Sequence, residues 1–398
     1  MRRMHGYQAL SKRESDELDE LVEKIEKEEE DGNEEKPELS RHSYTWSANG
    51  SYSFMVMSYT IQKYLKAVSG DRLEEKIRSG EFEYDYGRRS EVLTKGRIIF
   101  TLGDRIFVYS ADDECGIISI YSDHGVNGLV EDIKKEIRLN NPLRNKHMEI
   151  VPTCRGTDFH CLLKKPPSIG FADIVLNEAV KEDIYDNTIF HIKNIEGNNG
   201  IILHGEPGTG KSLICQAVIN AALEEGYSTC FATIGLNYAF FDEFLGRFLG
   251  RCVVIFEDID AIGQDREYSR NENLSGFLQL ISGLYEREEK VVFIATTNYI
   301  EHLDKAIVKR PVRFNRKFRI EIPGEAEMRR LVSLYFGDAP VDPALCNGKN
   351  FTGAHIKEVR RTAEMLSLKR GIPVADAYGE AVGLVEKNFT TKTSSPGF

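Results

Sequence analysis

The sequence predicts an α/β fold, with a five-stranded parallel sheet between an N-terminal α+β domain and a C-terminal helical domain. Three observations lead to this prediction. Between residues 171 and 322, five short runs rich in β-branched residues alternate with helical patterns, which is typical of a parallel sheet covered on both faces. The glycine-rich segment 205–212 joins one of these runs directly to a helix. After Pro323 and Gly324, only helical patterns remain.

Composition and charge restrict the class of protein. The chain has 398 residues, enough for roughly two or three domains. A net charge of −11 argues against a general binder of nucleic acid or anionic membranes. The seven cysteines include no Cys-x-x-Cys pair, which favours reduced thiols and a cytoplasmic protein. There is no N-terminal apolar segment and no run of about 18 apolar residues, so we expect neither secretion nor a membrane span.

The two ends of the chain are predicted to be disordered. Residues 1–42 are dominated by acidic side chains, which indicates a mostly disordered arm. Within this arm, Leu18, Leu21, Val22 and Ile25 form one short helical stripe, so docking of the arm on a partner is the alternative. Residues 390–398 are predicted to form a disordered tail.

Residues 43–165 are predicted to form the α+β domain, in which we find no catalytic constellation. Helical periodicity predicts helices over residues 53–68 and 126–139. Strands are predicted at residues 82–86, 97–102, 105–109 and 116–121.

The stretch 134–165 is basic and allows two further interpretations. A nucleic-acid contact is one, but aromatic residues are sparse there, so a solvated face or linker is favoured. Cys154, His160 and Cys161 suggest zinc, but no second ligand pair follows at zinc spacing.

Residues 166–323 are predicted to form the α/β domain, and residues 324–389 the helical domain. The five strands of the sheet are predicted at residues 200–204, 229–234, 252–256, 291–295 and 317–322. The helices of the last domain are predicted at residues 325–336, 353–369 and 374–387.

The segment after the first of these strands has the composition of a phosphate-binding loop. It matches the pattern G-x-x-x-x-G-K-[ST] and consists of Gly205, Glu206, Pro207, Gly208, Thr209, Gly210, Lys211 and Ser212. Glycines let backbone N–H groups approach anionic oxygens closely, and the next helix directs the positive end of its dipole at them. The Lys211 ammonium is expected to contact the β- and γ-phosphates, and the Ser212 hydroxyl to ligate Mg²⁺.

Paired carboxylates, Glu257 and Asp258, follow the apolar strand at residues 252–256. At the carboxyl edge of a parallel sheet such side chains face the ligand crevice. We assign Glu257 to the metal side, through water, and Asp258 to polarising the attacking water. Asn298, which follows the next strand, is expected to orient that water or to contact the γ-phosphate.

Two arginines three positions apart, Arg310 and Arg313, precede the last strand. A solvated arginine cluster is one interpretation. In a ring of nucleotide-hydrolysing subunits, such arginines reach the γ-phosphate of the neighbouring subunit and stabilise charge in the transition state.

Together these motifs resemble those of the AAA-family ATPases over residues 171–388. Residues 171–181 resemble the family's entry segment, whose backbone lies against adenine, and residues 352–354 resemble the lid turn near the adenosine. The resemblance implies a P-loop NTPase fold with a helical lid, ATP and Mg²⁺ as cofactors, and a homo-oligomeric ring, hexameric or heptameric. It assigns nucleotide binding to the loop above and to Asp173, Ile174, Leu213, Gly353 and Ala354. It assigns the metal to Ser212 and Glu257, and catalysis to Asp258, Glu257, Asn298, Arg310 and Arg313.

A narrower resemblance is to the ATPases that assemble the mitochondrial cytochrome bc complex by translocating the folded Rieske protein. The carboxylate order Glu-Asp, the helix pattern at 274–284 and the short segment 235–251 carry it. The transmembrane helix of that subgroup is absent. Residues 244–246 and 248–250 mimic the aromatic-aliphatic-glycine pore loop of threading unfoldases. They lie on the helix that leads into the strand at 252–256, so we predict that they pack.

These features predict a ring-forming ATPase that couples Mg-ATP hydrolysis to remodelling, assembly or translocation of a protein client. We expect the client to bind the N-terminal domain, and we expect no nucleic-acid partner. The alternative is a nucleotide-dependent assembly or scaffold protein, associated with nucleic acid, in which hydrolysis is incidental.

Overall fold

The structure is a computed structural model that describes residues 43–48, 51–69, 80–85, 90–103, 105–122, 125–153, 158–260, 272–282, 290–308 and 314–389. The predicted arm and tail, residues 1–42 and 390–398, lie outside these ranges. The described chain forms two compact units. The first unit consists of the described residues up to Arg144 and those within Pro152–Cys161 and Ala239–Gly250. The second includes Asn145–Val151, Leu162–Tyr238 and the described residues from Arg251 onward.

The strands are β1 (Ser43–Ser47), β2 (Gly80–Asp85), β3 (Ser90–Leu102), β4 (Arg105–Asp112), β5 (Ile117–Tyr121), β6 (His147–Pro152), β7 (Phe159–Lys164), β8 (Asn199–His204), β9 (Ser228–Ala232), β10 (Cys252–Phe256), β11 (Val291–Thr297) and β12 (Arg316–Arg319). The helices are α1 (Ser51–Ser69), α2 (Asn127–Asn140), α3 (Glu178–Tyr185), α4 (His191–Asn194), α5 (Lys211–Glu224), α6 (Tyr238–Phe244), α7 (Glu272–Ser282), α8 (Lys305–Val308), α9 (Glu325–Phe336), α10 (Gly353–Arg370) and α11 (Val374–Phe389).

The first unit contains an antiparallel sheet of five strands, in the order β1-β5-β4-β3-β2. The four strands and two helices predicted here are present, and β1 is an additional strand. Its five residues follow the charged arm and are too few for an alternating pattern to identify them. Most of the apolar stripe of α1 is buried as its spacing predicts, because Phe54, Met57, Ile61 and Leu65 are at most 3% exposed. Val68, near the end of the helix, is 42% exposed.

The segment Ala239–Gly250 belongs to the first unit, although the residues on both sides of it in sequence belong to the second. It contains most of α6 and a π-helical turn, Leu245–Leu249. Phe244, Leu245, Phe248 and Leu249 are at most 1% exposed. The Phe244 ring also contacts that of Phe159, with 5.2 Å between the centroids. The tripeptide-like sequences at 244–246 and 248–250 are therefore packing elements, as predicted.

Asn141 attaches this segment to α2. Its side-chain amide nitrogen donates to the carbonyl oxygens of Ile137 and Phe248, both at 2.7 Å. Its side-chain oxygen accepts from the backbone N–H of Leu143 at 3.0 Å. All three hydrogen bonds are shielded from water, since Asn141 is only 3% exposed.

We therefore expect Asn141→Ala to destabilise the first unit by about 1–3 kcal/mol, because buried polar groups lose their partners. The matched control is Asn140→Ala, which removes an exposed amide that bonds to Glu136 and should change stability by less than ~0.5 kcal/mol. Denaturant unfolding is followed through the emission of Trp46, the only tryptophan of the chain, which is buried in the same unit. Equal stability of the two variants would contradict the assignment.

The second unit is built on a mostly parallel sheet with the strand order β12-β8-β11-β10-β9-β6-β7, although Pro152 of β6 and Phe159–Cys161 of β7 are grouped with the first unit. The pairings from β12 through β6 are all parallel. Every residue of β10 is fully buried, which agrees with a sheet covered on both faces. The predicted α/β fold is confirmed.

The sheet has two strands more than the five predicted, because β6 and β7 extend it. Both lie in the basic stretch that the sequence analysis assigns to the preceding domain. In β6, Met148 and Ile150 are buried and alternate with partly exposed residues, but the pattern is too short to stand out. The Lys164 ammonium pairs with Glu149 at 2.5 Å. The domain ranges 43–165 and 166–323 stay a prediction.

The three C-terminal helices pack around one apolar cluster. Its fully or almost fully buried members include Val332, Phe351, Val359, Tyr378 and Val385. The bounds of α9 are those predicted, while α10 and α11 extend slightly further. Across the ranges described, we find no helix with the length and apolar character needed to cross a bilayer.

Candidate active site

The turn between β8 and α5 requires glycine at two positions. Gly205 has φ +148°, and a Cβ atom there would lie 2.2 Å from the carbonyl oxygen of Ile320. Gly210 has φ +103° and directly precedes α5, and a Cβ atom there would meet nothing within 4 Å. The Thr209 hydroxyl donates to the carbonyl oxygen of Glu206 at 2.9 Å, which closes the turn between them. A closed turn with open space at a helix N-terminus fits the phosphates of a nucleotide.

The lid turn meets this loop at Gly208, which has φ +81°. A Cβ atom there would lie 2.8 Å from both the Ala354 Cβ and the Thr352 hydroxyl oxygen. The Ala354 N–H also donates to the Gly208 carbonyl oxygen at 3.3 Å. Gly353 is the first residue of α10. The structure thus brings Gly353 and Ala354 next to the phosphate loop.

Lys211 is folded back onto its own loop. Its ammonium donates to the carbonyl oxygens of Gly205 and Glu206, at 2.7 and 3.0 Å. Burial lowers the pKa of Lys211, while the carboxylates of Asp258 and Asp260 act in the opposite direction. Only 7% of the residue is exposed. The Lys211 side chain is therefore largely shielded from bulk water. It lies within electrostatic reach of the acidic residues that follow β10.

One oxygen of Glu257 fits a cation or a metal-bound water. This atom, Oε1, is buried and has no hydrogen-bond partner within the described part of the chain. Buried carboxylate oxygens normally have one. Ser212 is exposed in the first turn of α5, next to the equally exposed Leu213. Ser212 and Glu257 are thus suitable ligands for Mg²⁺, which prefers oxygen and retains several waters.

Asp258 lies just beyond β10 in the left-handed region, with φ +50°. Asp tolerates this conformation better than most residues. Its N–H donates to the Thr296 hydroxyl at 3.0 Å. Its side chain is exposed, in contrast to the partly buried Glu257. The two adjacent carboxylates therefore have different environments, and their different roles stay a prediction.

Asn298 follows β11, next to β10 in the sheet. Its N–H donates to Asp260 Oδ2 at 3.1 Å, and the hydroxyl of Thr297 donates to Asp260 Oδ1. Asp260 is not among the site residues predicted from the sequence. A third acid two residues after the Glu257-Asp258 pair, at the same sheet edge, is the signal that was available.

A cavity of 560 Å³ lies beside the loop, at the ends of β8, β11 and β12. Its lining includes Gly205, Asn298, His204 and Arg319. Burial and the Arg319 charge lower the pKa of His204, which favours the neutral imidazole. Ligand sites of small molecules commonly have volumes of about 300–1,000 Å³, so the cavity has the size of a ligand site.

Asp173 and Ile174 serve the local fold in the described structure. Asp173 Oδ2 accepts from the N–H of Gly170 at 2.8 Å. The Ile174 side chain is buried in the cluster beside β8 and α5. A contact between this segment and adenine, which would have to use its backbone, stays a prediction. Arg310 and Arg313 lie outside the described residues.

The structure describes only part of the zinc alternative. Cys154 lies outside the described residues, and in β7 the exposed His160 is followed by the buried Cys161, so the two alternate in exposure. No group of three His, Cys, Asp or Glu side chains suited to a metal ion occurs in the part of the chain that the structure describes.

Comparisons with known proteins add a family and several relatives. Residues 201–322 match the family described as "ATPase family associated with various cellular activities (AAA)". The chain is 29% identical over 263 residues to the ATP-dependent zinc metalloprotease FtsH 1 of Alkaliphilus metalliredigens, covering 59% of this chain and 43% of that protein. It is 27% identical over 240 residues to the 26S proteasome regulatory subunit 4 homolog of Encephalitozoon cuniculi, covering 52% and 55%. It is 26% identical over 333 residues to the ATPase family protein 2 homolog of Caenorhabditis elegans, covering 72% and 46%. The chain thus spans about half the length of these relatives.

Proposed function

We propose that this chain, in which residues 201–322 form an AAA-family ATPase domain, is a ring-forming ATPase that couples Mg-ATP hydrolysis to remodelling, assembly or translocation of a protein client. One observation carries the proposal. The phosphate loop, two carboxylates in different environments and Asn298 meet at the carboxyl edge of one parallel sheet, within electrostatic reach of the buried Lys211. That edge is where ligands bind in open α/β sheets.

In the proposed reaction the protein acts mainly by positioning groups and by stabilising charge. The ammonium of Lys211 exchanges the carbonyl oxygens of Gly205 and Glu206 for phosphate oxygens. Asp258 accepts a proton from the attacking water, and Asn298 orients that water. Mg²⁺, when bound by Ser212 and through water by Glu257, neutralises charge on the β- and γ-phosphates.

The proposed client is a protein, and the relatives support this class. The names of two of them refer to proteolysis or the proteasome. The zinc chemistry in the first name has no counterpart in this sequence, which contains no His-Glu-x-x-His motif. We therefore transfer only the ATP-driven action on proteins, not the cleavage of peptide bonds.

The narrower proposal is that the client is moved in a folded state, as in the cytochrome bc assembly subgroup. The burial of Phe244 and Phe248 supports it, because buried aromatic rings are not available to grip a threaded chain. The Glu257-Asp258 order supports the same subgroup. A client site on the first unit, a hexameric or heptameric ring and a cytoplasmic location complete this proposal.

Substitution of Lys211 tests the function. Lys211→Ala should weaken binding of a fluorescent ATP analogue roughly 10- to 100-fold, since a charge-assisted contact to phosphate is lost. The matched control is Lys193→Ala, which removes an exposed lysine that pairs with Glu225. Circular dichroism checks that both variants are folded.

Turnover separates the proposal from its alternative. The unmodified protein should hydrolyse ATP over many cycles, and Lys211→Ala should abolish this activity. Nucleotide-dependent assembly with negligible turnover would instead favour a scaffold protein. An unchanged affinity of folded Lys211→Ala protein for the ATP analogue would contradict both the ATPase proposal and the scaffold alternative.

A further inference from the structure

The ends of β10 and β11 are joined by hydrogen bonds outside the sheet ladder. Asp260 lies in the turn after β10, and both of its carboxylate oxygens accept from residues at the end of β11. Oδ1 accepts from the Thr297 hydroxyl, and Oδ2 accepts from the backbone N–H of Asn298 at 3.1 Å. We call Asp260 and Thr297 the brace.

Thr297 holds Asn298 from the other side as well. Its hydroxyl oxygen accepts from the backbone N–H of Tyr299 at 3.0 Å. Thr297 itself is fully buried, so its hydroxyl is shielded from bulk water. The peptide groups before and after Asn298 are thus both fixed by the brace, one through Asp260 and one through Thr297.

The residues that carry the candidate carboxylates are attached to the same strand. The N–H of Asp258 donates to the Thr296 hydroxyl, and the N–H of Ile259 to the Thr296 carbonyl oxygen, both at 3.0 Å. The backbones of Asp258 and Asn298 therefore belong to one hydrogen-bonded unit. Their separation depends on short polar side chains as well as on the pairing of β10 with β11.

We propose that Asp260 and Thr297 are positioning residues that hold Asn298 in register with Asp258 for the attack of water on ATP. The proposal rests on the proposed function. A carboxylate suits this task because it accepts two charge-assisted hydrogen bonds at once, which fixes direction as well as distance. Neither brace residue needs to touch the nucleotide. A displacement of about 1 Å at such a site can reduce a rate by up to ~10²-fold.

Thr297→Val is the direct test, because valine keeps the shape and the β-branch of threonine and removes only the hydroxyl. We expect kcat to fall about 10- to 100-fold, with unchanged affinity for a fluorescent ATP analogue and an unchanged KM for ATP. Thr297→Ser keeps the hydroxyl and should retain wild-type kcat. Asp260→Asn, which offers one acceptor in place of two, should reduce kcat in the same way as Thr297→Val.

Thr229→Val is the matched control. Thr229 is an equally buried threonine in β9, and its hydroxyl bonds to His147 at 2.9 Å. It controls for the loss of a buried threonine hydroxyl elsewhere in the sheet, and its kcat should match the wild type.

The possible results are distinct. Wild-type kcat in Thr297→Val overturns the proposal. A joint loss of nucleotide affinity, melting temperature and kcat in Thr297→Val also overturns it, because a purely structural role is then sufficient. The proposal is also overturned if kcat of Thr297→Ser is as low as that of Thr297→Val. Asp258→Asn is measured in parallel. If Asp258→Asn retains full turnover, the proposed function itself fails. If Asp258→Asn is inactive and Thr297→Val is fully active, only the positioning role of the brace is overturned.

Discussion

Asp258→Asn is expected to slow ATP hydrolysis about 100-fold or more while ATP binding stays at its wild-type level. Asparagine has nearly the same shape as aspartate but cannot accept a proton from the attacking water. The structure supports this separation of binding from hydrolysis, because Asp258 is exposed beyond the sheet edge and its backbone is fixed by Thr296. Steady-state hydrolysis and equilibrium binding of a fluorescent ATP analogue measure the two effects separately.

Glu257→Gln is the companion variant. The unpartnered Oε1 of Glu257 suggests a metal-side role, so this substitution should raise the Mg²⁺ concentration needed for half-maximal hydrolysis. Asp113→Asn, at an exposed turn of the first unit, is a control for the change of charge and should behave as the wild type. If Asp258→Asn is active and Glu257→Gln is inactive at all Mg²⁺ concentrations, the two roles must be exchanged.

Five strands of the parallel sheet and the phosphate loop were predictable because local sequence determines them. The bounds of β10 are those predicted, since its five residues are all apolar and are followed directly by charged ones. The conformation of the loop follows from Gly205, where the carbonyl oxygen of Ile320 leaves no room for a side chain. In both cases the information lies within a few consecutive residues.

Other features depend on contacts between residues distant in sequence, and no local pattern predicts them. β6 and β7 are short and lie in a basic stretch of the sequence, so only their pairing with the sheet identifies them. The membership of Ala239–Gly250 in the first unit depends on partners such as Asn141, more than 100 positions earlier. Asp260 acquires a role only when β10 and β11 lie side by side. The importance of such residues is not encoded in any local pattern.

The last prediction concerns the ring. Arg310 and Arg313 follow β11 and α8 in the sequence and are not among the described residues. We propose that both act on the nucleotide of the neighbouring subunit. A planar guanidinium can contact two phosphate oxygens and stays charged in a partly dry site. Arg313→Ala should therefore reduce hydrolysis ~10³-fold or more, although the protein keeps its own nucleotide pocket and binds ATP normally.

Mixing two inactive variants tests whether this action is in trans. A Lys211→Ala subunit still supplies both arginines, and an Arg313→Ala subunit still supplies a nucleotide pocket, so interfaces between the two should recover hydrolysis. Replacing the Lys211→Ala partner with a protein that carries both substitutions provides the matched control, and this mixture should stay inactive. Differently tagged subunits that co-purify verify that mixed rings form. If such rings form and the first mixture is no more active than the control, the arginines do not act across the subunit boundary.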